Sequence, residues 1–269
     1  MKMFDSHAHY DDARFDGCAE QILAEVHAAG VEKITDIGAS LASSAAALRL
    51  AETHDFIYAA VGVHPSDAAS DMKQADWLMQ VEQMFRSSPK VVAIGEIGLD
   101  YHYGKEDIDA QKECFRAQMS LAARLGVPVV IHDREAHEDT LEILREFPSV
   151  VGVVHSFSGS FEMAKLVLDM GYYISVNGVI TFHNAKKIVD ILCRIDELAP
   201  YARERLLMET DCPYLTPEPH RGKLNRSDYM RYTAEKGAVC LGISQEEFCT
   251  LTYRNACRFY GLDECESGI

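Results

Sequence analysis

Val91-Val92-Ala93-Ile94-Gly95-Glu96-Ile97 is an aliphatic run that carries one acid near its end. Near-continuous apolar runs of this kind mark strands buried on both faces, the situation of a parallel sheet covered by helices. Seven further runs with strand character flank it: Lys2–Ser6, Lys33–Ile37, Ile57–Val63, Pro128–Ile131, Val150–His155, Tyr172–Val176 and Arg205–Glu209. Helical stripes lie between them. Trp77, Val81, Met84 and Phe85 form one, Met163, Leu166, Val167 and Met170 a second, and Ile188, Ile191, Leu192 and Ile195 a third. Each keeps the spacing of one helix face, so all are expected in the core. Ser244-Gln245-Glu246-Glu247 reads as a capping box that opens a further helix. Eight strands alternating with helices in one undivided chain predict an α/β fold, the (β/α)8 TIM barrel, over residues 1–269. A doubly wound open sheet is the rival, and the first strand lacks the GxGxxG of a dinucleotide fold.

The chain has 269 residues, 42 acidic against 26 basic, for a net charge of -16. Its 48% hydrophobic and 25% charged content is that of a globular enzyme, which excludes a disordered chain, a collagen repeat or a coiled coil. No run approaches the roughly 18 apolar residues of a membrane span. The opening MKMFDSHAHYDD is too polar for a signal peptide. Eight scattered cysteines without a CxxC pair then read as reduced thiols, and a cytoplasmic location is expected. So acidic a surface disfavours a groove that wraps duplex DNA through many phosphates, though not a phosphate held locally by metal ions.

The ends of the runs carry the chemistry. They finish on Asp5-Ser6-His7-Ala8-His9, His64, Glu96 to Asp100, His132-Asp133-Arg134, His155, and Glu209-Thr210-Asp211. In a barrel those ends converge on one rim, where active sites form. A lone strand-end histidine is usually a hydrogen-bonded structural residue, and a lone acid a helix cap. Six such ends together would place many costly polar groups at one mouth, which a structural reading does not explain. His7 and His9, two apart, point the same way on a strand. Four imidazoles and two carboxylates suit a first-row metal rather than Ca²⁺. They exceed what one catalytic zinc with an open position takes, and fit two metals sharing a carboxylate.

FDSHAH (4–9), VGVHP (61–65), AIGEIGLDY (93–101), PVVIHDREA (128–136), HSFSG (155–159), METDCPYLTP (208–217), PHRGKLN (219–225) and RNACRFYGL (254–262) together resemble the TatD family of metal-dependent deoxyribonucleases, a branch of the amidohydrolase-like barrels. The match runs in family order along essentially the whole chain. The resemblance implies a metallo-dependent hydrolase barrel with a binuclear centre. His7, His9, Glu96 and Asp211 would hold one ion, and Glu96, His132 and His155 the other, with Glu96 bridging. The ions would be two divalent metals, Zn²⁺, Mg²⁺ or Mn²⁺. Glu96, with no lysine nearby, favours this branch over relatives that bridge with a carboxylated lysine. Cys212 stands where Ala or Ser is expected; a small packing role, a metal contact and oxidation are its readings.

His64 and Tyr101, just past strand ends, could touch substrate phosphate or a metal-bound water. His220 and Arg221, with Lys223 and Asn225 close by, would form a phosphate-binding loop after the last strand, where barrels often bind phosphate; a solvated turn at Gly222 is the plain alternative. Arg134 is divided between a phosphate contact and an ion pair with Glu135 or Glu138. The expected reaction is water attack on a phosphodiester, with Asp211 orienting or deprotonating the water and Glu96 bridging the metals. DNA ends or short single strands would be the substrate, trimmed 3′ to 5′ as the resemblance implies, by a monomer that engages no membrane. A hydrolase of another ester or amide, such as an aminoacyl-tRNA deacylase, and a non-catalytic metal-binding scaffold are the alternatives.

Overall fold

The computed structural model describes residues 1–102 and 107–263. Eight parallel strands follow one another around a single sheet: β1 (Met3–Ala8), β2 (Val31–Ile37), β3 (Ile57–Val61), β4 (Val91–Asp100), β5 (Val129–Arg134), β6 (Gly152–Val154), β7 (Tyr173–Val176) and β8 (Leu206–Met208). The β1 and β8 edges meet through a parallel bridge between Ala8 and Cys212, where His9 N donates to the Cys212 carbonyl at 2.8 Å. Asp211 N donates to the His7 carbonyl at 2.9 Å. The barrel is therefore nearly closed, and the same contacts bring Asp211 beside the two histidines of β1.

Two apolar layers hold the barrel. The larger joins the outer strand faces to the surrounding helices. It buries Ile34, Ile57, Ile94, Val129 and Ile174 against Leu23, Ala47, Phe115, Met119 and Leu168. A smaller cluster takes Phe4, Ile37, Ala60, Ala93, Val130, Val153, Tyr173 and Leu207, one from each strand, and packs them on Tyr253, Ala256, Phe259 and Tyr260 of the last helix, Gln245–Tyr260. That helix opens with the expected capping box: Ser244 Oγ accepts from Glu247 N at 3.2 Å, and Glu247 Oε2 accepts from Ser244 N at 2.8 Å. Tyr260 OH donates to the Ser6 carbonyl at 2.7 Å, tying the helix to β1. The strand-end histidines and acids lie at the opposite, C-terminal end of the strands.

The sequence reading needs adjustment at several points. β4 runs three residues further than expected, to Asp100, while β6 and β8 are only three residues long. In the helix Phe161–Asp169 the buried face is Met163, Ala164, Val167 and Leu168. Leu166 is 42% exposed, so of the 163, 166, 167, 170 stripe Met163 and Val167 lie on the buried face and Leu166 does not. A small alanine left Ala164 out of an apolar count, although small residues are what close helix–sheet packing favours. Cys265 lies outside the described residues, among which the cysteines form no disulfide. Among the same residues no helix is long and apolar enough to cross a membrane.

β4 and β5 approach closely where they carry site residues. Gly98 pairs with His132, has φ +144°, and a Cβ there would lie 2.0 Å from the His132 carbonyl oxygen. Gly98→Ala must therefore part the strands and move His132. Denaturant unfolding should show a loss of at least about 2 kcal/mol, from overpacking plus left-handed strain; a variant of unchanged stability would contradict this packing account.

Candidate metal centre

Glu96 sits 4% exposed near the middle of the barrel mouth and faces two groups of histidines with its two oxygens. Oε2 lies 3.6 Å from His7 Nε2 and 3.8 Å from His9 Nε2. Asp211 Oδ1 lies 3.7 and 3.4 Å from the same two nitrogens, which are themselves 3.1 Å apart. A tetrahedral ion with ligands at about 2.0–2.2 Å has donor atoms ~3.3–3.6 Å from each other, so His7, His9 and Asp211 are spaced for one cation, with Glu96 Oε2 beside both nitrogens. On the other side Glu96 Oε1 is 2.8 Å from both His132 Nδ1 and His155 Nε2, which are 3.3 Å apart. The six residues picked out from the strand ends thus come together around one carboxylate.

Neighbouring hydrogen bonds fix which nitrogen His9 and His132 offer. His9 Nδ1–H donates to the Ile37 carbonyl at 2.7 Å, which turns the Nε2 lone pair inward. His132 Nε2–H donates to Asp100 Oδ2 at 3.0 Å, which leaves Nδ1 for the centre. His155 Nδ1 faces Glu209 Oε1 at 3.5 Å. Glu209 is itself pinned by Ser175 Oγ, Ser156 N and Asn177 Nδ2 at 2.6, 2.8 and 3.2 Å. His7 Nδ1 is buried with no hydrogen-bond partner among the described residues, so the ring is anchored through Nε2. Asp5 supports the closure from behind, accepting from Thr210 N at 2.9 Å and Thr210 Oγ1 at 2.6 Å.

The electrostatics agree with a cation-binding role. Burial pushes the Glu96 carboxyl up, but His155, His64 and His132 outweigh it and hold it well below the usual range. Burial and the neighbouring His155 keep His7 neutral. Burial opposes a charge on His9, yet Asp211 and Glu96 raise it to about 10, so this protein surrounds the ring with negative charge that wants a cation. Asp211 adopts φ +57° and Ser156, next to His155, φ +45°. Left-handed backbone is uncommon outside glycine, and here it sits beside the cluster. The donors, their spacing and their charge all fit divalent metal.

His64 differs. Its Nδ1 accepts from Ser66 N at 3.1 Å, and burial with His132 nearby lowers its pKa to about 3. The ring is therefore neutral with its proton on Nε2, 3.9 Å from Glu96 Oε1, and acts as a donor. His64, Asp100 and His132 also lie close enough to form a metal-type group, but the His132 nitrogen on that side is taken by its hydrogen bond to Asp100.

A cavity of about 920 Å³ opens over the centre. Arg134 and Lys187 supply its cations, and Phe157, Val179, Ile180, Ile188 and Leu215 give an apolar wall. Tyr101, His220 and Arg221 are not part of this lining. Tyr101 OH donates to Asp139 Oδ2 at 2.6 Å; His220 Nε2 meets Tyr232 OH at 2.9 Å and stacks on Tyr229; the Arg221 guanidinium lies 3.8 Å over the Phe182 ring. Cys212 is fully buried and burial pushes its thiol far up, so it packs in the core while its backbone closes the barrel. Asp100, which orients His132, and Glu209, which faces His155, stand among the strand ends read in the sequence but have no assigned role there. The signal was there, since Asp100 shares the strand face of Glu96 and Glu209 that of Asp211.

Known proteins share this arrangement of chain. The family described as TatD related DNase matches residues 4–261. The uncharacterized metal-dependent hydrolase YabD of Bacillus subtilis is 40% identical, over 97% of this chain and all of its own. The uncharacterized metal-dependent hydrolase YcfH of Escherichia coli is 36% identical, over 98% and 97% of the two chains. The crystal structure of YjjV, a TatD homologue from Escherichia coli, superposes with a TM-score of 0.87 at 30% identity, covering 97% of this chain and 98% of that one. A centre built from strand-end histidines and acids, on a barrel matched along nearly its full length, has one conclusion: the chain belongs to the TatD-related DNase family of metal-dependent hydrolases.

Proposed function

We propose that the protein hydrolyses phosphodiester bonds at DNA ends or in short single strands, 3′ to 5′, with two divalent ions held by His7, His9, Glu96 and Asp211 and by Glu96, His132 and His155. The observation that carries this reading is the division of Glu96, with Oε2 toward His7 and His9 and Oε1 toward His132 and His155. Two ions in such a frame, about 3.5–4 Å apart, would lower the pKa of a water and offset charge on the phosphoryl oxygens.

The chain's own groups do the rest. Asp211, with Oδ1 turned to His7 and His9, would orient or deprotonate the attacking water through its other carboxylate oxygen. His64 Nε2–H, neutral and fixed by Ser66, donates toward a phosphoryl or leaving oxygen. Arg134 and Lys187 on the cavity wall offset the charge of the flanking phosphate. Lys187 is steadied by the Ser158 carbonyl at 3.4 Å. The net charge of -16 opposes long duplex tracks, which favours a strand end over an internal site. A carboxyl ester, such as an aminoacyl group on RNA, is the second reading, favoured by the apolar wall of Ile180, Ile188 and Leu215.

The test is a metal-stripped preparation given Mg²⁺, Mn²⁺ or Zn²⁺ with single-stranded DNA labelled at its 5′ end, beside an aminoacyl ester. A metal-dependent ladder that shortens from the 3′ end, lost in Glu96→Gln, is expected; cleavage of the ester alone would overturn the nuclease reading. Asp100→Ala removes the acceptor that sets the His132 tautomer. It should weaken metal-dependent turnover about 10–100-fold, with part of the loss recovered at higher metal concentration. An unchanged metal requirement would refute that role for Asp100.

A further inference from the structure

We infer that Tyr214 is a stacking platform for the nucleobase adjoining the scissile phosphate, so that the site selects nucleotides carrying a base rather than phosphodiesters in general. This rests on the phosphodiesterase reading above and adds a residue that makes no contact with a metal. Tyr214 lies three residues beyond Asp211, lines the cavity, and is 45% exposed. Among the described lining residues the other Phe, Tyr or Trp is Phe157, which is buried at 4%.

An exposed tyrosine is ordinarily mobile; this one is held at every point. The Arg14 guanidinium lies 3.8 Å from the ring centroid and takes one face. Its hydroxyl donates to Asp12 Oδ2 at 3.0 Å. Asp12 in turn binds Arg14 through Oδ1 and Oδ2 at 3.0 and 2.8 Å. Arg14 holds the Asp12 carboxyl well below its usual range, so this group of three stays assembled through the neutral pH range. Tyr214 N donates to the Asp211 carbonyl at 2.8 Å, and buried Asn225 donates to the Tyr214 carbonyl at 2.6 Å. The ring stands edge-on to the His9 imidazole, 6.2 Å between centroids at 85°.

With its hydroxyl on Asp12 and one face under Arg14, Tyr214 keeps its second ring face for a ligand in the cavity it lines. A fixed aromatic surface within one ring's distance of a metal-type histidine suits a planar, apolar-faced group attached next to the reacting phosphate. A nucleobase has that shape, and preorganisation removes the ordering cost of binding it. Base–aromatic stacking of about 1–3 kcal/mol corresponds to roughly 5- to 100-fold in affinity and tolerates any base.

The test compares 5′-labelled single strands with an ordinary or an abasic 3′-terminal nucleotide. Wild type should prefer the ordinary end about tenfold in kcat/KM, through KM. Tyr214→Leu should bring the two ends within about twofold, and Tyr214→Phe should retain the preference. Equal use of both ends by wild type, or an undiminished preference in Tyr214→Leu, overturns the inference while leaving the nuclease reading intact. If neither strand is cut, that reading fails, and 2-aminopurine at the 3′ end decides for the platform. Quenching by wild type that Tyr214→Leu abolishes upholds stacking; no quenching overturns it.

Discussion

A carboxylate kept ionised in the interior is the constraint around which this molecule is arranged. Moving the Glu96 charge out of water is costly unless it is paired and hydrogen-bonded. The barrel meets that demand with imidazoles at the ends of β1, β5 and β6 and from the loop after β3. The Ile37 carbonyl and Asp100 aim His9 and His132, while Glu209 faces His155 at 3.5 Å. Against the cost of burial, Asp211 and Glu96 raise the proton affinity of His9, Asp100 and Glu96 that of His132, and Glu96 and Glu209 that of His155. The raised affinity of His9 for a proton is an imbalance that divalent metal would relieve.

The fold separates the tasks of stability and chemistry along the barrel axis. Below, one apolar side chain from each strand packs on the C-terminal helix. Above, closure at Ala8 and Cys212 sets Asp211 against His7 and His9. The left-handed residues Asp211, Ser156, Glu135 and Leu215 all lie at that end. Packing from below holds backbone that would otherwise relax, a common division between scaffold and site.

The strand order and the rim of histidines were legible because buried parallel strands have to be apolar until they end. His7, His132 and His155 stand out against such runs as breaks in the pattern. Leu166 was misplaced because periodicity counts large apolar residues and overlooks Ala164. The cavity lining was less legible. Tyr101, His220 and Arg221 follow the right strands, but their side chains turn to Asp139, Tyr232 and Phe182, partners that only the folded chain supplies. Tyr214 was hidden for the converse reason, since its anchors Arg14 and Asp12 lie some 200 residues earlier.

The central claim is that Glu96 joins two divalent ions, and anomalous diffraction from crystals grown with Mn²⁺ or Zn²⁺ tests it most directly. The account predicts two peaks about 3.5–4 Å apart, one among His7, His9 and Asp211 and one among His132 and His155, with a Glu96 oxygen on each. A single peak, or two peaks with Glu96 bound to neither or to only one, would contradict it.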